Sequence, residues 1–394
     1  MPRRSDDDLF TAAPLPVARL TDAERLACLR LIRSENVGPV TFRALINQFG
    51  GATQALAALP EIARRAGRQR PIRIWPEREA IAELAAARRA GIQPLFTIEP
   101  GYPAALAAAD VPPPLVYVKG DEAFLNRPTV AIVGSRQASA AGVTLTRQIA
   151  AGIGRAGLVV ASGLARGIDA AAHEATLTTG TVAVLAGGVD VVYPPEHERL
   201  HAAIAEAGCL VSEMPPGFVP RGKDFPRRNR IISGISLGVL VIEAARRSGS
   251  LITARMAGEQ GREVLAVPGH PLDPRAEGTN DLLRKGATFV TSAGDVVEAL
   301  APMIGAGHLQ RAPTAENLPV PAPVAASAPP PASPALASDS ERALVFSALG
   351  PAPVAVDALA RATGLSARAV QAALLELTIS GAVEHHGSQL VSRR

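Results

Sequence analysis

The stretch that decides the fold is TVAIVGSRQASAAGVTLTRQIAAGIGRAGLVVA, which occupies residues 129–161. It opens with an uninterrupted apolar run, Thr129–Val133, and closes with a second run of the same kind, Leu158–Ala161. Between the two runs, within Ala140–Arg155, apolar side chains recur at helical spacing. They are Leu145, Ile149 and Ile153. A strand, a helix and a strand in succession predict a β-α-β unit, whose strands lie parallel and whose helix covers one face of the sheet.

The same alternation of short apolar runs and helix-length segments continues through the middle of the chain. Further strands are predicted at Thr181–Leu185, Leu210–Ser212, Leu237–Ile242, Glu263–Val267 and Thr288–Thr291. Apolar runs without polar alternation are typical of a parallel sheet that is buried on both faces. We therefore predict an α/β fold built on an extended Rossmann-like, doubly wound parallel sheet.

The segments that flank this sheet differ from it in composition. We divide the chain into an N-terminal tail (1–19), a helical domain (20–75), the Rossmann-like domain (76–300), a Pro/Ala-rich linker (301–337) and a C-terminal domain (338–394). The linker is the clearest boundary, because it holds nine prolines between Pro302 and Pro334. So many prolines disfavour helix and sheet, and they predict a semi-extended segment.

The N-terminal domain is predicted to contain two helices joined by a tight turn. The first helix carries Leu26, Leu29 and Ile32 on one face, and the second carries Phe42, Leu45, Ile46 and Phe49. The turn between them is Asn36-Val37-Gly38-Pro39. This pattern resembles a SAM/helix-hairpin-helix-like unit, whose turn amides can hold a phosphate. A small helical domain with an ordinary Gly-Pro turn explains the pattern equally well.

The C-terminal domain has the outline of a winged helix. Helices are predicted at Ala343–Leu349, Val356–Ala362 and Ser366–Ser380, followed by a β-hairpin with strands at 383–384 and 389–392. Five arginines and five acidic residues cancel between 338 and 394, and the third helix offers Arg368 and Gln371 but no basic stripe. This balance argues against strong, independent binding of duplex DNA, and a protein contact is an equally good interpretation.

Bulk properties set the remaining limits. A formal net charge of +4 and an isoelectric point near 9.5 permit a polyanionic partner without requiring one. Cys28 and Cys209 match no metal or redox spacing. The first ten residues lack the apolar core of a signal peptide, and no apolar run is long enough to span a membrane. We expect a cytoplasmic protein without a membrane segment and without a cofactor.

Small and hydroxylated residues follow several of the predicted strands. The candidate phosphate-binding residues at these strand ends are Gly134, Ser135, Arg136, Ser162, Gly163, Ser248, Gly249 and Ser250. Ligands of open parallel sheets bind where the carboxyl ends of the strands meet, and backbone amides there suit phosphate oxygens. Several such loops on one sheet edge predict a phosphate-bearing ligand.

A basic run adjoins the same edge of the sheet. It comprises Arg221, Lys223, Arg227, Arg228 and Arg230, and Phe218 and Phe225 lie within or beside it. A solvated surface is the usual explanation of a charge run, but five cations in ten residues beside a ligand edge favour phosphate neutralisation. Phe225 is a candidate for base stacking, and a core position explains it equally well.

Several apparent catalytic motifs are better explained by structure. Gly152–Gly157 fits G-x-G-x-x-G but closes a helix, so a helix C-cap is the better interpretation. His197–His201 fits H-E-x-x-H without an evident third ligand, so we expect no metal site there. His173 follows Asp169 without a nucleophile elbow, and a buried, hydrogen-bonded histidine is the better interpretation. For Glu213 and Glu243 we favour loop anchoring over paired catalytic carboxylates.

Taken together, the loops between about 94 and 300 resemble the DprA/Smf (DNA-processing) family. The motifs that carry the resemblance are VGSR at 133–136, SGLARGID at 162–169 with Ala172-His173, FPRRNRIISG at 225–234, SGSLITA at 248–254 and REVLAVPG at 262–269. The helical N-terminal domain and the winged-helix tail also fit one common layout of that family.

The resemblance implies a function in recombination rather than catalysis. It implies that the chain binds single-stranded DNA, dimerises through the Rossmann-like domain and transfers the strand to a RecA-type recombinase, as in natural transformation. By position it implies phosphate contacts from Gly134, Ser135 and Arg136. It also implies a groove lined by Lys223, Arg227, Arg228 and Arg230, stacking by Phe225 and further donors from Ser248 to Ser250.

Two alternatives remain open. The LOG-like nucleotide hydrolases share the Rossmann-like shape, but they need a Pro-Gly-Gly-x-Gly-Thr-x-x-Glu loop, whereas this chain has Ser248–Thr253 and lacks the matching acid, which is absent at Ala257. A module that binds a small nucleotide would use the same loops without a preference for polymer. The length of the basic run favours a polymer.

Overall fold

The computed structural model describes residues 20–68, 70–305 and 336–394. The helices are α1 (Asp22–Arg33), α2 (Pro39–Phe49), α3 (Ala52–Arg65), α4 (Glu77–Arg89), α5 (Ala104–Ala107), α6 (Ala140–Arg155), α7 (Ile168–Glu174), α8 (Glu198–Ala207), α9 (Asp224–Gly234), α10 (Gly249–Glu259), α11 (Glu277–Arg284), α12 (Ala293–Gly305), α13 (Asp339–Ser347), α14 (Val356–Thr363) and α15 (Ala367–Ser380). The strands are β1 (Gln93–Phe96), β2 (Leu115–Gly120), β3 (Thr129–Gly134), β4 (Val159–Ser162), β5 (Thr181–Val184), β6 (Cys209–Ser212), β7 (Gly238–Ile242), β8 (Glu263–Ala266), β9 (Thr288–Phe289), β10 (Val354–Ala355), β11 (Val383–His386) and β12 (Leu390–Arg393).

The central sheet has the order β1-β2-β6-β5-β4-β3-β7-β8-β9. All neighbouring pairs from β6 to β9 are parallel, which confirms the doubly wound sheet and each of its seven predicted strands. The edge strands β1 and β2 were not predicted. They are antiparallel to each other, and β2 is antiparallel to β6.

The strand order reverses at β3, and this reversal positions the ligand edge. From β3 the chain winds outward through β4, β5 and β6, and it then returns to the other side of β3 with β7. The connections from β3 and β7 therefore leave in opposite directions. A crevice forms at the carboxyl ends of strands where the order reverses, and this is the usual ligand site of such sheets.

Alternate residues of β3 pack into two separate cores. Val130 and Ile132 face α6 and α12, where Ile149 is buried against them. Ala131 and Val133 face the opposite side, which is covered by α9 and α10. Because successive side chains of a strand point to opposite faces, burial of both sets explains why the run is apolar without alternation.

The N-terminal domain is a helical unit whose boundaries follow from local capping. The Thr21 hydroxyl caps α1 by accepting from the Glu24 amide at 3.2 Å, and Pro39 stands in the first turn of α2. Gly50 ends α2 in the left-handed conformation. The predicted apolar faces pack together, with Leu29 and Leu45 fully buried in one core.

The C-terminal domain is the predicted winged helix, with one additional short strand, β10. Strands β11 and β12 form the predicted hairpin, and β10 pairs with β12. The Ser338–Glu341 capping box begins α13. No helix within the described ranges is long and apolar enough to cross a membrane.

The predicted linker begins too early. Residues 301–305 continue α12 despite Pro302, because Met303 and Ile304 pack against the core formed by Val296 and Leu300. Tertiary packing outweighs the helix-breaking tendency of a single proline here. Residues 306–335 of the linker and the N-terminal tail lie outside the described residues.

Candidate functional site

A cavity of about 240 Å³ opens at the carboxyl ends of β3, β4 and β5. We call it the strand-end pocket. Its lining includes Arg136, Gly163, Leu164, Ala165, Arg166, Leu185, Ala186, Gly187, Tyr193, Phe225 and Arg228. The structure therefore brings Arg136, Gly163, Phe225 and Arg228, four of the predicted site residues, into one cavity at the edge where the strand order reverses.

One wall of the strand-end pocket is aromatic and cationic. The rings of Tyr193 and Phe225 lie 5.1 Å apart between centroids, with a tilt of 52°. The guanidinium carbon of Arg136 lies 5.6 Å from the Phe225 centroid. Such contacts stabilise a cation and leave π surface for a flat ligand. Tyr193 was not singled out from the sequence, although it follows the loop after β5 at the same sheet edge.

The floor of the strand-end pocket is held by a buried pair of opposite charges. The Arg228 guanidinium donates to the carbonyl oxygens of Gly163 (2.8 Å) and Val184. The Asp169 carboxylate accepts from the amides of Gly163 (3.1 Å) and Ala165 (3.4 Å). Arg228 was predicted to contact phosphate directly. Its Nε and Nη1 donors bond to the framework, so Arg228 holds the loop after β4, while its direct phosphate contact stays a prediction.

Burial shifts the pKa values of this group. Desolvation raises the pKa of Asp169 above its ordinary value, and the opposing charge of Arg228 and two amide bonds limit that rise. Desolvation lowers the pKa of Arg228 to about 10, so the guanidinium stays charged at neutral pH. Burial, assisted by the charges of Arg228 and His197, lowers the pKa of His173 to about 3. His173 is therefore neutral, and its Nδ1 lies 2.7 Å from the Thr181 hydroxyl.

In and around helix α9, some side chains of the basic run face the protein interior and others face solvent. Glu213, itself buried, pairs with Arg227 at 2.7 Å and with Arg230 on its other oxygen. Arg230 also donates to the Val111 carbonyl oxygen at 2.8 Å. The groove-lining role predicted for Arg230 is therefore revised to a structural one, because both ends of its guanidinium are occupied. Glu213 anchors arginines rather than loop amides.

The outward members of the run remain candidates for phosphate contact. Arg221 and Lys223 are exposed, and within the described residues neither side chain has an acidic partner at ion-pair distance. Arg227 is more than half exposed, although it pairs with Glu213. Arg166 lines the strand-end pocket and lies 3.7 Å from Glu196, with both side chains exposed. Of these cations, only Arg166 lines the strand-end pocket, and the other three belong to the basic run that contains Phe225.

The predicted small residues fall into two groups. A Cβ at Gly134 would overlap the Ile242 carbonyl oxygen, so close strand packing requires this glycine. Ser162 is fully buried and donates to the Ile132 carbonyl oxygen at 2.6 Å, so its predicted phosphate contact is revised to a structural bond. The Ser135 hydroxyl accepts from the Gln137 amide at 3.1 Å. It lies next to Arg136 at the end of β3 and remains a candidate.

Residues Ser248–Ser250 lie at the start of α10, after β7. The Ser248 hydroxyl caps this helix, lying 2.6 Å from the Ser250 hydroxyl and accepting from its amide. Asn229 of α9 donates to the Gly249 carbonyl oxygen at 3.4 Å. None of these three residues lines the strand-end pocket. A single ligand that contacts both them and the pocket must therefore extend beyond the pocket.

The apparent catalytic motifs have structural roles. His197 Nδ1 and His201 Nε2 donate to backbone carbonyl oxygens of Leu164 and Val189, each at 3.0 Å, so these protonated nitrogens cannot bind a metal. Among the described residues, no group of three or more His, Cys, Asp or Glu side chains is placed to hold a metal ion. Glu243 accepts from the Ser139 amide at 2.8 Å and anchors the start of α6, as favoured from the sequence.

The G-x-G-x-x-G match lies at the carboxyl end of helix α6, where a helix C-cap was predicted. Helix α6 ends at Arg155, and Gly157, one residue beyond the Ala156 cap, has a φ of +89°. A Cβ at Gly152 or Gly154 would overlap Ala293 or Thr179. The first two glycines thus permit close helix packing, and the third turns the chain into β4.

Comparison with known proteins identifies all three domains. The family model described as DNA recombination-mediator protein A matches residues 93–301. The DprA-like N-terminal HHH domain matches residues 22–86, and the DprA winged helix domain matches residues 328–389.

Individual relatives agree with these matches. Protein Smf of Escherichia coli (strain K12) is 46% identical over 202 residues, which cover 50% of this chain and 54% of that protein. The chain thus spans about half the length of this relative. The X-ray structure of DNA processing protein A from Streptococcus pneumoniae is similar at a TM-score of 0.60 and 34% identity, covering 71% of this chain and 98% of that one. A second similar structure describes the single-stranded DNA binding mode of DNA processing protein A from Helicobacter pylori. Its TM-score is 0.50 and its identity 29%, covering 54% of this chain and 96% of that one.

Proposed function

This chain belongs to the DNA recombination-mediator protein A family, also named DprA or Smf, and on that premise we propose that it binds single-stranded DNA at the strand-end pocket. The observation that carries the proposal is the contact of Arg136 and Tyr193 with the Phe225 ring on one wall of the cavity. Single-stranded nucleic acids are held by aromatic faces for the bases and by cations that follow the backbone.

The charges around the pocket support a polymer rather than a single nucleotide. Arg166 is exposed and lines the cavity, and the exposed Arg221, Lys223 and Arg227 flank Phe225 along the basic run. A cavity of about 240 Å³ accommodates one base, whereas these cations extend beyond it. We assign phosphate contacts to Ser135, Arg136, Lys223 and Arg227, and base stacking to Phe225.

We further propose that the bound strand is handed to a RecA-type recombinase, as in natural transformation. This role agrees with the family's description as a recombination mediator. The bound strand must be shielded until transfer. We propose that the shielding protein is a homodimer formed through the Rossmann-like domain. Such a role places the protein in the cytoplasm, where recombinases act.

We propose that the chain has no catalytic activity. In the hydrolase alternative, a glutamate of the loop that opens α10 would act on a sugar-phosphate bond. With Thr253 on the threonine of that loop, the glutamate would fall at Met256 of α10, and neither Met256 nor the fully buried Ala257 beside it is acidic. Asp169 and His173 are buried and bonded within the framework, and Glu196, a carboxylate that lines the cavity, lies 3.7 Å from Arg166. This arrangement favours binding over proton transfer.

The test is binding of a fluorescent single strand of about 25 nucleotides, measured by anisotropy across a salt series. For a single-strand binder, the logarithm of affinity falls with the logarithm of salt at about −0.7 per neutralised phosphate. Arg136→Ala and Lys223→Ala should each weaken binding roughly tenfold and flatten that slope. Arg255→Ala is the matched control, because this arginine is exposed on α10 away from the pocket.

Competitors distinguish the alternatives in the same assay. Unlabelled single strand should displace the probe far better than duplex or a mononucleotide. Equal displacement by a mononucleotide would assign the pocket to a small nucleotide and reopen the hydrolase alternative. Equal effects of Arg255→Ala and Arg136→Ala would show that only total charge matters. Sedimentation of the unliganded protein tests the dimer separately.

A further inference from the structure

A winged helix usually contacts DNA through two elements, a recognition helix and a wing. In helix-turn-helix proteins the second helix of the motif lies in the major groove, and here that helix is α15, preceded by α14. The wing is the turn between β11 and β12. Both elements contact other domains of this protein.

The outward apolar face of α15 is buried in the core of the N-terminal domain. The winged helix builds its own core with Val370, Leu374 and other residues of α15. Leu375 and Ile379, one turn apart, instead belong to the core of the N-terminal domain, and Ile379 is fully buried. Residues four apart share one helix face, so these two side chains form a ridge that α2 and α3 cover.

Polar contacts fix the carboxyl end of α15 on the same surface. The Asn36 side chain donates to the Ile379 carbonyl oxygen at 3.0 Å, and Arg68 donates to the same oxygen at 3.4 Å. Arg65 donates to the Ala337 carbonyl oxygen at 2.8 Å. Carbonyls in the last turn of a helix have no intrahelical partner, so Asn36 and Arg68 satisfy a group of α15 that otherwise requires water. The turn considered for phosphate binding thus holds a helix end.

The wing is fastened to a loop of the Rossmann-like domain. The Asp110 carboxylate accepts hydrogen bonds from the Ser388 amide, at 3.1 Å, and from the Ser388 hydroxyl. Asp110 lies next to Val111, whose carbonyl oxygen accepts from Arg230 of α9. The winged helix therefore joins both other domains through separate contacts.

The amino-terminal half of α15 faces a cleft rather than open solvent. Arg368 and Gln371 line a cavity of about 600 Å³ together with Arg43 and Asn47 of α2. A duplex presents a major groove about 12 Å wide, and a recognition helix must fit between the walls of that groove. Because α2 lines the other side of this cleft and Leu375 and Ile379 are buried, the cleft leaves no room for a duplex along α15.

We infer that the winged helix is an internal docking domain: α15 binds the N-terminal helical domain, the wing binds the Rossmann-like domain, and duplex DNA is excluded from α15. This assignment stands on contacts away from the strand-end pocket, so it holds or fails independently of the proposed function. It also explains the neutral charge of the domain, since a docking surface needs apolar complementarity rather than a basic stripe.

The first test uses hydrogen exchange of the full chain. Ile379→Asp should accelerate exchange in peptides of α2 and α3 roughly tenfold or more, because a charge cannot remain in that core. Leu344→Asp is the matched control, since Leu344 is 43% exposed on α13 of the same domain, and it should leave α2 and α3 unchanged. Retained protection around Val370 and Leu374 would show that the winged helix itself is still folded. Unchanged exchange in α2 and α3 would overturn the docking.

A second test covers the case in which Ile379→Asp unfolds the domain. Asp110→Ala removes the wing contact from an exposed position outside both cores, and it should speed exchange of the 383–393 peptide several-fold. In the intact chain, Arg368→Glu combined with Gln371→Ala should leave duplex affinity within twofold. A tenfold loss of duplex affinity would show that α15 binds DNA and would refute the inference, as would unchanged exchange of the wing.

Discussion

Arg228 donates a hydrogen bond of 2.8 Å from its buried guanidinium to the carbonyl oxygen of Gly163. The same group donates to Val184, and the Asp169 carboxylate accepts from the Gly163 amide on the other side of that residue. The loop after β4 is thus held at both the carbonyl oxygen and the amide nitrogen of Gly163. The shape of the strand-end pocket depends on this buried pair of charges.

Replacing Arg228 with methionine should destabilise the fold by about 3–5 kcal/mol. Methionine retains much of the apolar volume, but it leaves two buried carbonyl oxygens and the Asp169 charge without their partner. Urea denaturation measures the loss. Arg227→Met is the matched control and should cost at most about 1 kcal/mol, because that side chain is 57% exposed. Similar losses for the two variants would contradict the framework role.

Removing the ring of Phe225 should weaken single-strand binding by about 1–3 kcal/mol, the usual value of one stacked base. Phe225→Ala should leave the slope against salt unchanged, because no phosphate contact is lost. Phe225→Trp should restore most of the affinity. The same anisotropy assay measures all three proteins. A flattened salt slope for Phe225→Ala would show that the ring acts mainly by positioning Arg136.

His173 should make the fold less stable as the pH falls. Its pKa is about 3 in the fold and near 6.5 when exposed, so the unfolded chain binds the proton first. Stability from this residue is complete above pH 6.5 and declines as the pH drops toward 3. Between pH 6.5 and 5 the loss should be about 1.5 kcal/mol.

The control for that slope is His173→Gln, which cannot be protonated. This variant should be less stable at neutral pH but should lose about 1.5 kcal/mol less than the parent over the same interval. Urea midpoints at several pH values measure both. Because burial also lowers the pKa values of His201 and His385, some slope will remain. Identical slopes in the two proteins would show that His173 is not protected by the fold.

Two glycines should respond in opposite directions to alanine. A Cβ at Gly163 would lie 2.7 Å from the Arg228 guanidinium, whereas one at Gly258 in α10 meets nothing within 4 Å. Gly163→Ala should therefore cost about 1–3 kcal/mol through overpacking. Gly258→Ala should stabilise the helix by about 0.5–1 kcal/mol. Thermal denaturation compares the two, and a stabilised Gly163→Ala protein would contradict the packing at the pocket floor.

The sequence alone determined the domain order, the seven central strands and the edge of the sheet at which the strand-end pocket opens. These features can be recognised locally. A strand that is buried on both faces does not alternate apolar and polar residues, and the glycines that follow such a strand lie at its carboxyl end. It also determined the interpretation of Gly152–Gly157 and of Glu243, because position within an element decides those roles. The edge strands β1 and β2 were missed, because β1 is a four-residue strand that contains a proline and β2 pairs in the antiparallel sense with the distant β6.

Only the tertiary structure decided which polar groups face solvent. Arg227, Arg228 and Arg230 are neighbours in sequence, yet Arg227 is more than half exposed, Arg228 is buried at the pocket floor and Arg230 is held between Glu213 and the Val111 carbonyl oxygen. Likewise, Leu375 and Ile379 resemble ordinary core residues of a winged helix until α2 and α3 are placed against them. A side chain's role depends on the element packed opposite it, and that element is set by long-range contacts that no local pattern contains.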